Sequence, residues 1–150
     1  MISLMGSFGN AGASRFEGIG SPVIEAPCLR VLVLRSFLDS ICFKHTPILS
    51  MVSILDAIVE YEESDEPKHS VDIVTMFTSL PALQHLQLGY EILQLLAKGD
   101  RVPRRLPTRL HHLKTLELGK LALDSLHQAR VLVCLIMNSP KLQTLTLQFR

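Results

Sequence analysis

Five copies of one short pattern constrain this chain more than anything else in it. The pattern is P-x-L-x-x-L-x-L, in which another aliphatic residue can stand for a leucine. It occurs as Pro27, Leu29, Leu32, Leu34, then as Pro47, Leu49, Val52, Ile54, and then as Pro81, Leu83, Leu86, Leu88. A copy without the proline keeps Leu113, Leu116 and Leu118, and the last reads Pro140, Leu142, Leu145, Leu147. From the first leucine of one copy to that of the next, the chain advances 20, 34, 30 and 29 residues. A motif returning at such intervals implies stacked units, none of which can bury its apolar side chains unaided.

Within a copy, the L-x-L half alternates, so its two apolar side chains share one face of a short strand. The leucine three residues earlier belongs to the bend entering that strand and also points inward. A proline just ahead of the strand is tolerated because it occupies no ladder position that needs an N–H. Fully burying one Leu or Ile contributes about 1.5–3 kcal/mol, whereas ordering each residue costs about 1–2 kcal/mol. One unit is therefore marginal, and a stack shares a continuous core. L-x-x-L-x-L is the leucine-rich-repeat signature. The expectation is an α/β leucine-rich-repeat solenoid of four to five irregular units over residues 22–150. Residues 1–21, rich in Gly, Ser and Ala, are expected to form a disordered leader.

Composition matches a leucine-packed interior: 47% of residues are apolar, but only 5% are aromatic and none is Trp. Fifteen Lys and Arg against fourteen Asp and Glu leave no global field for nucleic acid or an acidic membrane. Cys28, Cys42 and Cys134 form no C-x-x-C pair and read as free, buried thiols of a reducing compartment. The run Met1–Met5 is too short for a signal h-region, and Val131–Met137 is too short to span a bilayer. The expected location is cytoplasmic or nuclear.

Between the pattern copies, several elements are expected. Ile41–Phe43 is a second apolar piece after the Leu29–Leu34 strand, and Ala57–Val59 could extend the strand at Pro47–Ile54. Ser70 and Asp72 favour a helix start, with Ile73, Met76, Phe77 and Leu80 on one face. Glu91–Lys98 is a short helix with Gly99 as its left-handed stop. The strongest helix is Leu126–Asn138, opened by a capping box in which Ser125 accepts from the Gln128 N–H and the Gln128 side chain reaches back. Its Ala129, Leu132, Val133 and Ile136 follow helical spacing, while Val131, Leu135 and Met137 make the other side apolar too. Such a helix should be heavily buried or covered by another segment.

Chemistry is sparse. Glu60–Glu66 reads as a solvated acidic loop or a dock for a basic partner. Arg101, Arg104, Arg105 and Arg109 make a basic loop or a contact for an acidic one. Adjacent strand residues point to opposite faces, so His111-His112 is a poor metal pair, and no ligand stands at zinc-like spacing. No G-x-S-x-G, P-loop or Cys-His constellation is present, so neither catalysis nor a cofactor is expected. What remains is the outward face of the strands: Val31, Val33, Arg35, Met51, Ser53, His85, Gln87, Thr115, Glu117, Thr144, Thr146 and Gln148. It is mixed and mostly uncharged, which suits a protein target better than a polyanion.

Three stretches carry a family resemblance. They are Ala26-Pro27-Cys28-Leu29-Arg30-Val31-Leu32-Val33-Leu34, then Leu106-Pro107 ahead of Leu110, Leu113, Leu116 and Leu118, and finally Asn138-Ser139-Pro140-Lys141-Leu142 with Leu145 and Leu147. From about Pro22 to Arg150 the chain resembles plant F-box proteins whose leucine-rich repeats precede a C-terminal FBD region. The resemblance implies target recognition in a cullin-based ubiquitin ligase, in which an F-box binds a Skp1-type adaptor and the repeats hold the target. Neither an F-box before Pro22 nor an FBD region after Arg150 is expected. The expectation is a repeat-only product without the adaptor contact, acting on targets, competing for them, or persisting as a remnant prone to self-association.

Overall fold

The computed structural model describes residues 2–6, 23–35, 42–55, 73–97, 102–122 and 124–149. Each of the five pattern copies enters its strand through the same turn. The N–H of the first leucine closes back on the carbonyl three residues earlier: Leu29 on Ala26, Leu49 on Thr46, Leu83 on Leu80, Leu113 on Leu110 and Leu142 on Ser139, at 3.2–3.4 Å. Pro27, Pro47, Pro81 and Pro140 occupy the second position of these turns, where a fixed φ is an advantage and no N–H is needed. His111 stands there in the copy that lacks proline. The next residues form a ladder across the units, with Ser50 N–H donating to Arg30 O, Gln84 to Ser50 O, Lys114 to Gln84 O and Gln143 to Lys114 O, at 2.7–2.9 Å.

The strands that follow are β3 (Leu29–Arg35), β5 (Met51–Leu55), β6 (His85–Leu88), β7 (Thr115–Leu121) and β8 (Thr144–Phe149). They pair in parallel and in sequence order. The architecture is thus a mixed α/β arrangement with a mainly parallel sheet. One edge departs from the expectation of a disordered leader: Ile2–Gly6 forms β1, antiparallel to β3. Its short apolar run, Ile2-Ser3-Leu4-Met5, suits a strand, and β3 offers it an unpaired edge. The rest of the expected leader lies outside the described residues, as do Ala57–Val59, the acidic run, Ser70, Asp72 and Gly99.

Register turns the pattern into rows. Leu32, Val52, Leu86 and Leu116 stand side by side with no exposed surface, and Leu34, Ile54, Leu88 and Leu118 form a second buried row. Behind them lie α1 (Ile73–Thr78), α2 (Tyr90–Ala97) and α3 (Leu126–Met137). Beside the first copies lies a small parallel pair, β2 (Val23–Glu25) with β4 (Cys42–Lys44). Its Ile24 and Phe43 join the core. In α1, Ile73, Met76 and Phe77 are buried as their spacing predicts, followed by Leu80.

Helix α3 is the main correction. Its buried residues are Gln128, Val131, Cys134 and Leu135, while Val133, Ile136 and Met137 are exposed and Leu132 is only partly buried. The core-facing side is therefore nearly opposite to the stripe at Ala129, Leu132, Val133 and Ile136. Ser125 does cap the helix, accepting from the Gln128 N–H at 3.2 Å. Gln128, however, does not reach back to Ser125. Its Oε1 accepts from the Ala122 N–H at 2.8 Å, bracing the approach to the helix instead.

The far end of α3 is tied down by Asn138. Its Oδ1 accepts from Leu106 N–H at 3.0 Å, and its Nδ2 donates to the carbonyls of Cys134 at 2.7 Å and Arg104 at 3.3 Å. Its own carbonyl accepts from Leu110 N–H at 2.8 Å. Ser139 Oγ donates to Leu135 O at 2.5 Å. Both residues are buried with every side-chain polar atom satisfied, which is how polar groups survive inside a core. Asn138 thereby fastens the 102–110 segment to the end of the helix.

Candidate functional site

The outward positions of the strands fall into register as the alternation predicts. Val31, Met51, His85, Thr115 and Thr144 are successive partners in one row. Val33, Ser53, Gln87, Glu117 and Thr146 make the next. Arg35 pairs with Leu55 beyond them, and Gln148 lies in the same direction on β8. Val31, Val33 and the expected residues of β5 to β8 therefore share one sheet face.

Within that face, the middle strands hold a polar cluster. Ser53 was expected to stand out to solvent, but it is only 2% exposed. Its hydroxyl donates to Gln87 Oε1 at 2.7 Å, and its row neighbours Val33 and Gln87 both carry larger side chains. One row away, His85 Nε2 lies 2.8 Å from Glu117 Oε2, with each side chain about a third exposed at 32% and 34%. A carboxylate can only accept, so the imidazole Nε2 donates. The pair joins β6 to β7 diagonally across both rows and orients the Glu117 carboxylate. Exposed pairs of this kind contribute under about 1 kcal/mol. Its consequence is geometric: His85, Gln87 and Glu117 are held in one arrangement before any partner arrives.

Beside this cluster lies a hollow of about 250 Å³, bounded in part by Gln87, Glu117, Thr146 and Gln148. It exists because Gly89 and Gly119 follow the last pattern leucines of β6 and β7, where β5 has Leu55 and β8 has Gln148. A Cβ at Gly119 would meet Leu88 O and Gln148 Oε1 at 3.8 Å, an ordinary contact, so the open space is not forced by backbone crowding. Just past it, the chain makes a bulge. Leu118 pairs with Leu147, but the next pair is Leu121 with Phe149. Lys120 takes the extra position at φ 55°, unusual for a residue with a side chain. The bulge returns Leu121 to the buried side and leaves Lys120 exposed at the rim. Sequence reasoning missed Leu55, Gly89, Gly119 and Lys120. Alternation carried one step beyond each copy reaches the first three, whereas the bulge leaves no sequence signal.

The other sequence candidates stay apart from this face. Arg104, Arg105 and Arg109 are exposed in the segment before β7, and His111 and His112 are exposed at its turn. Among the described residues, no three or more His, Cys, Asp or Glu stand together as metal ligands. No described helix is long and apolar enough to cross a membrane. Cys28 is exposed, which corrects the expectation of a buried thiol, because it sits inside an entry turn rather than on a strand. Cys134 is buried; desolvation raises its pKa above the ordinary thiol value, partly opposed by a hydrogen bond from Asn138.

Comparison with known proteins agrees with the resemblance carried by the repeats. Over 123 residues, 81% of its length, the chain is 32% identical to an F-box/FBD/LRR-repeat protein of Arabidopsis thaliana. That bears out the family read from the residues. The match spans only 29% of the relative's length. No family model matches the chain, and no solved structure matches it.

Proposed function

From its similarity to a plant F-box/FBD/LRR-repeat protein, we propose that this chain is a leucine-rich-repeat solenoid that binds a protein target. The binding surface is the outward sheet face, and the role is that of the target-recognition part of a ubiquitin ligase. The observation that carries this reading is the register itself. Five strands present two aligned rows of side chains, with His85, Gln87 and Glu117 fixed beside a hollow that a partner's side chain can enter. Repeat arrays commonly bind along such a surface. A face whose polar groups are already oriented loses less freedom on binding. The reading assigns the face to a target rather than to the Skp1-type adaptor, because F-boxes are helical segments and every contact residue here lies on or beside a strand. The chemistry supplied is recognition, with no catalytic step.

Two variants test it in a capture experiment from plant extract, quantified by mass spectrometry. His85→Ala/Gln87→Ala/Glu117→Ala should lose the captured target at least tenfold with little change in melting temperature. Gly119→Val, which fills the hollow without removing a polar group, should weaken the same capture. Equal recovery by both variants and the parent chain would remove this face from consideration. A calorimetric titration with purified Skp1-type adaptor should give no saturable heat. Tight adaptor binding abolished by the triple variant would reassign the face to the adaptor.

A further inference from the structure

The outer side of α3 joins an apolar stripe to an arginine-bearing segment. At about 100° per residue, Arg130, Val133 and Met137 return to within about 40° of Leu126, nearly opposite buried Leu135. Leu126 is 63% exposed, Val133 56% and Met137 69%. Alongside this stripe runs the 102–104 segment, held there by Asn138, whose Nδ2 donates to Arg104 O and whose Oδ1 accepts from Leu106 N–H. Between the two lies a trough of about 470 Å³ whose lining is mostly apolar. Among the described residues, Arg104 and Arg130 are the charged ones that line it, and exposed Arg105 follows next in the chain. None of the described residues that line it is acidic.

We propose that this trough is a second docking surface, which takes an amphipathic helix of a partner protein with carboxylates flanking its apolar stripe. A groove between a helix and a parallel segment accepts another helix by the usual packing of apolar residues at spacings of three and four. The arginines among its described lining residues favour acidic flanks over basic ones. Unmet apolar surface of this kind, rimmed by charge, is characteristic of interaction sites. Exposed Ile136, about 80° around the helix from Leu126, and exposed Leu145 and Phe149 of β8 do not line the trough. It also lies behind the sheet, so its occupant and a target on the outward face could be held at once.

The test uses the full chain and a fluorescent 18-residue helical peptide with leucines at three- and four-residue spacing and glutamates on the flanks. A twin peptide carries lysines in place of the glutamates. The acidic peptide should bind saturably in anisotropy titrations, at least tenfold tighter than its twin. Val133→Glu/Met137→Glu should weaken it at least tenfold; both sites are exposed, and an unchanged circular dichroism melt verifies the fold. Arg104→Glu/Arg105→Glu should reverse the preference between the two peptides. His85→Ala/Glu117→Ala on the opposite face should leave acidic-peptide binding unchanged, so this result stands apart from the fate of the outward face. No binding, equal affinity for the twins, or binding retained by Val133→Glu/Met137→Glu would overturn the proposal. So would co-sedimentation with phosphatidylserine vesicles without peptide binding, which would assign the trough to a lipid surface.

Discussion

Leu116 and Leu145 hold the same place in the same pattern on adjacent strands, yet Leu116 has no exposed surface and Leu145 keeps 40%. The two regions differ in neighbours, not in sequence. Strands β5 to β7 each have a parallel partner on both sides and elements packed behind them. Strand β8 is the sheet's outer edge, and most of its side chains remain in contact with solvent. The pattern thus specifies direction, and stacking specifies burial. The same contrast runs through the layer behind the sheet, where α1 buries its apolar stripe while α3 leaves one exposed.

The largest effect should come from trimming equivalent leucines. Leu116→Ala should cost about 2–5 kcal/mol in urea unfolding, against about 1 kcal/mol for Leu145→Ala, which loses less buried area and opens no enclosed cavity. Equal costs would mean that β8 is covered in solution, and a concentration-dependent midpoint would identify the cover as another copy of the chain.

Next in size is Asn138→Ala, which strands the buried Leu106 N–H and releases the 102–110 segment from α3. Leaving such groups unpaired costs about 1–3 kcal/mol each, and trypsin should then cut faster at Arg104 and Arg105. Unaltered cleavage would show that apolar packing alone holds the segment.

A smaller effect is expected from the buried thiol. Burial raises the Cys134 pKa, so the folded chain keeps its thiol proton to higher pH than the unfolded chain does. This contribution is fully present below the ordinary thiol value. It falls as pH rises through that value towards the folded-state pKa, by at most about 1.4 kcal/mol per pH unit. Cys134→Ala should remove that part of the alkaline slope, and iodoacetamide should label Cys28 well before Cys134. The smallest effect is the coupling of His85 to Glu117. A double-mutant cycle should return less than about 1 kcal/mol, reduced further in high salt. A larger, salt-resistant value would mean the pair contributes to stability as well as to shaping the face.

Some of this was open to inspection in the residues and some was not. The two buried rows, the entry turns and the alignment of the outward face all follow from a pattern whose alternation is local. Its phase survives whatever lies between copies. Helix α3 was different. Val131 through Met137 is seven apolar residues in succession, so helical spacing alone admits several buried faces. The choice of Val131, Cys134 and Leu135 came from α2 alongside and from Asn138 anchoring the 102–110 segment. The small β2–β4 pair joins segments on either side of the first copy, which local spacing does not bring together.

The sequence by itself determined the repeating unit, its apolar sides and the family likeness, since each depends on residues close together in the chain. Only the tertiary structure decided that Ser53 is covered, that His85 meets Glu117, that two glycines open a hollow, and that α3 turns an apolar stripe outward beside Arg104. Those outcomes depend on which residues of distant copies become neighbours, and that is set by strand register and by where stacking ends.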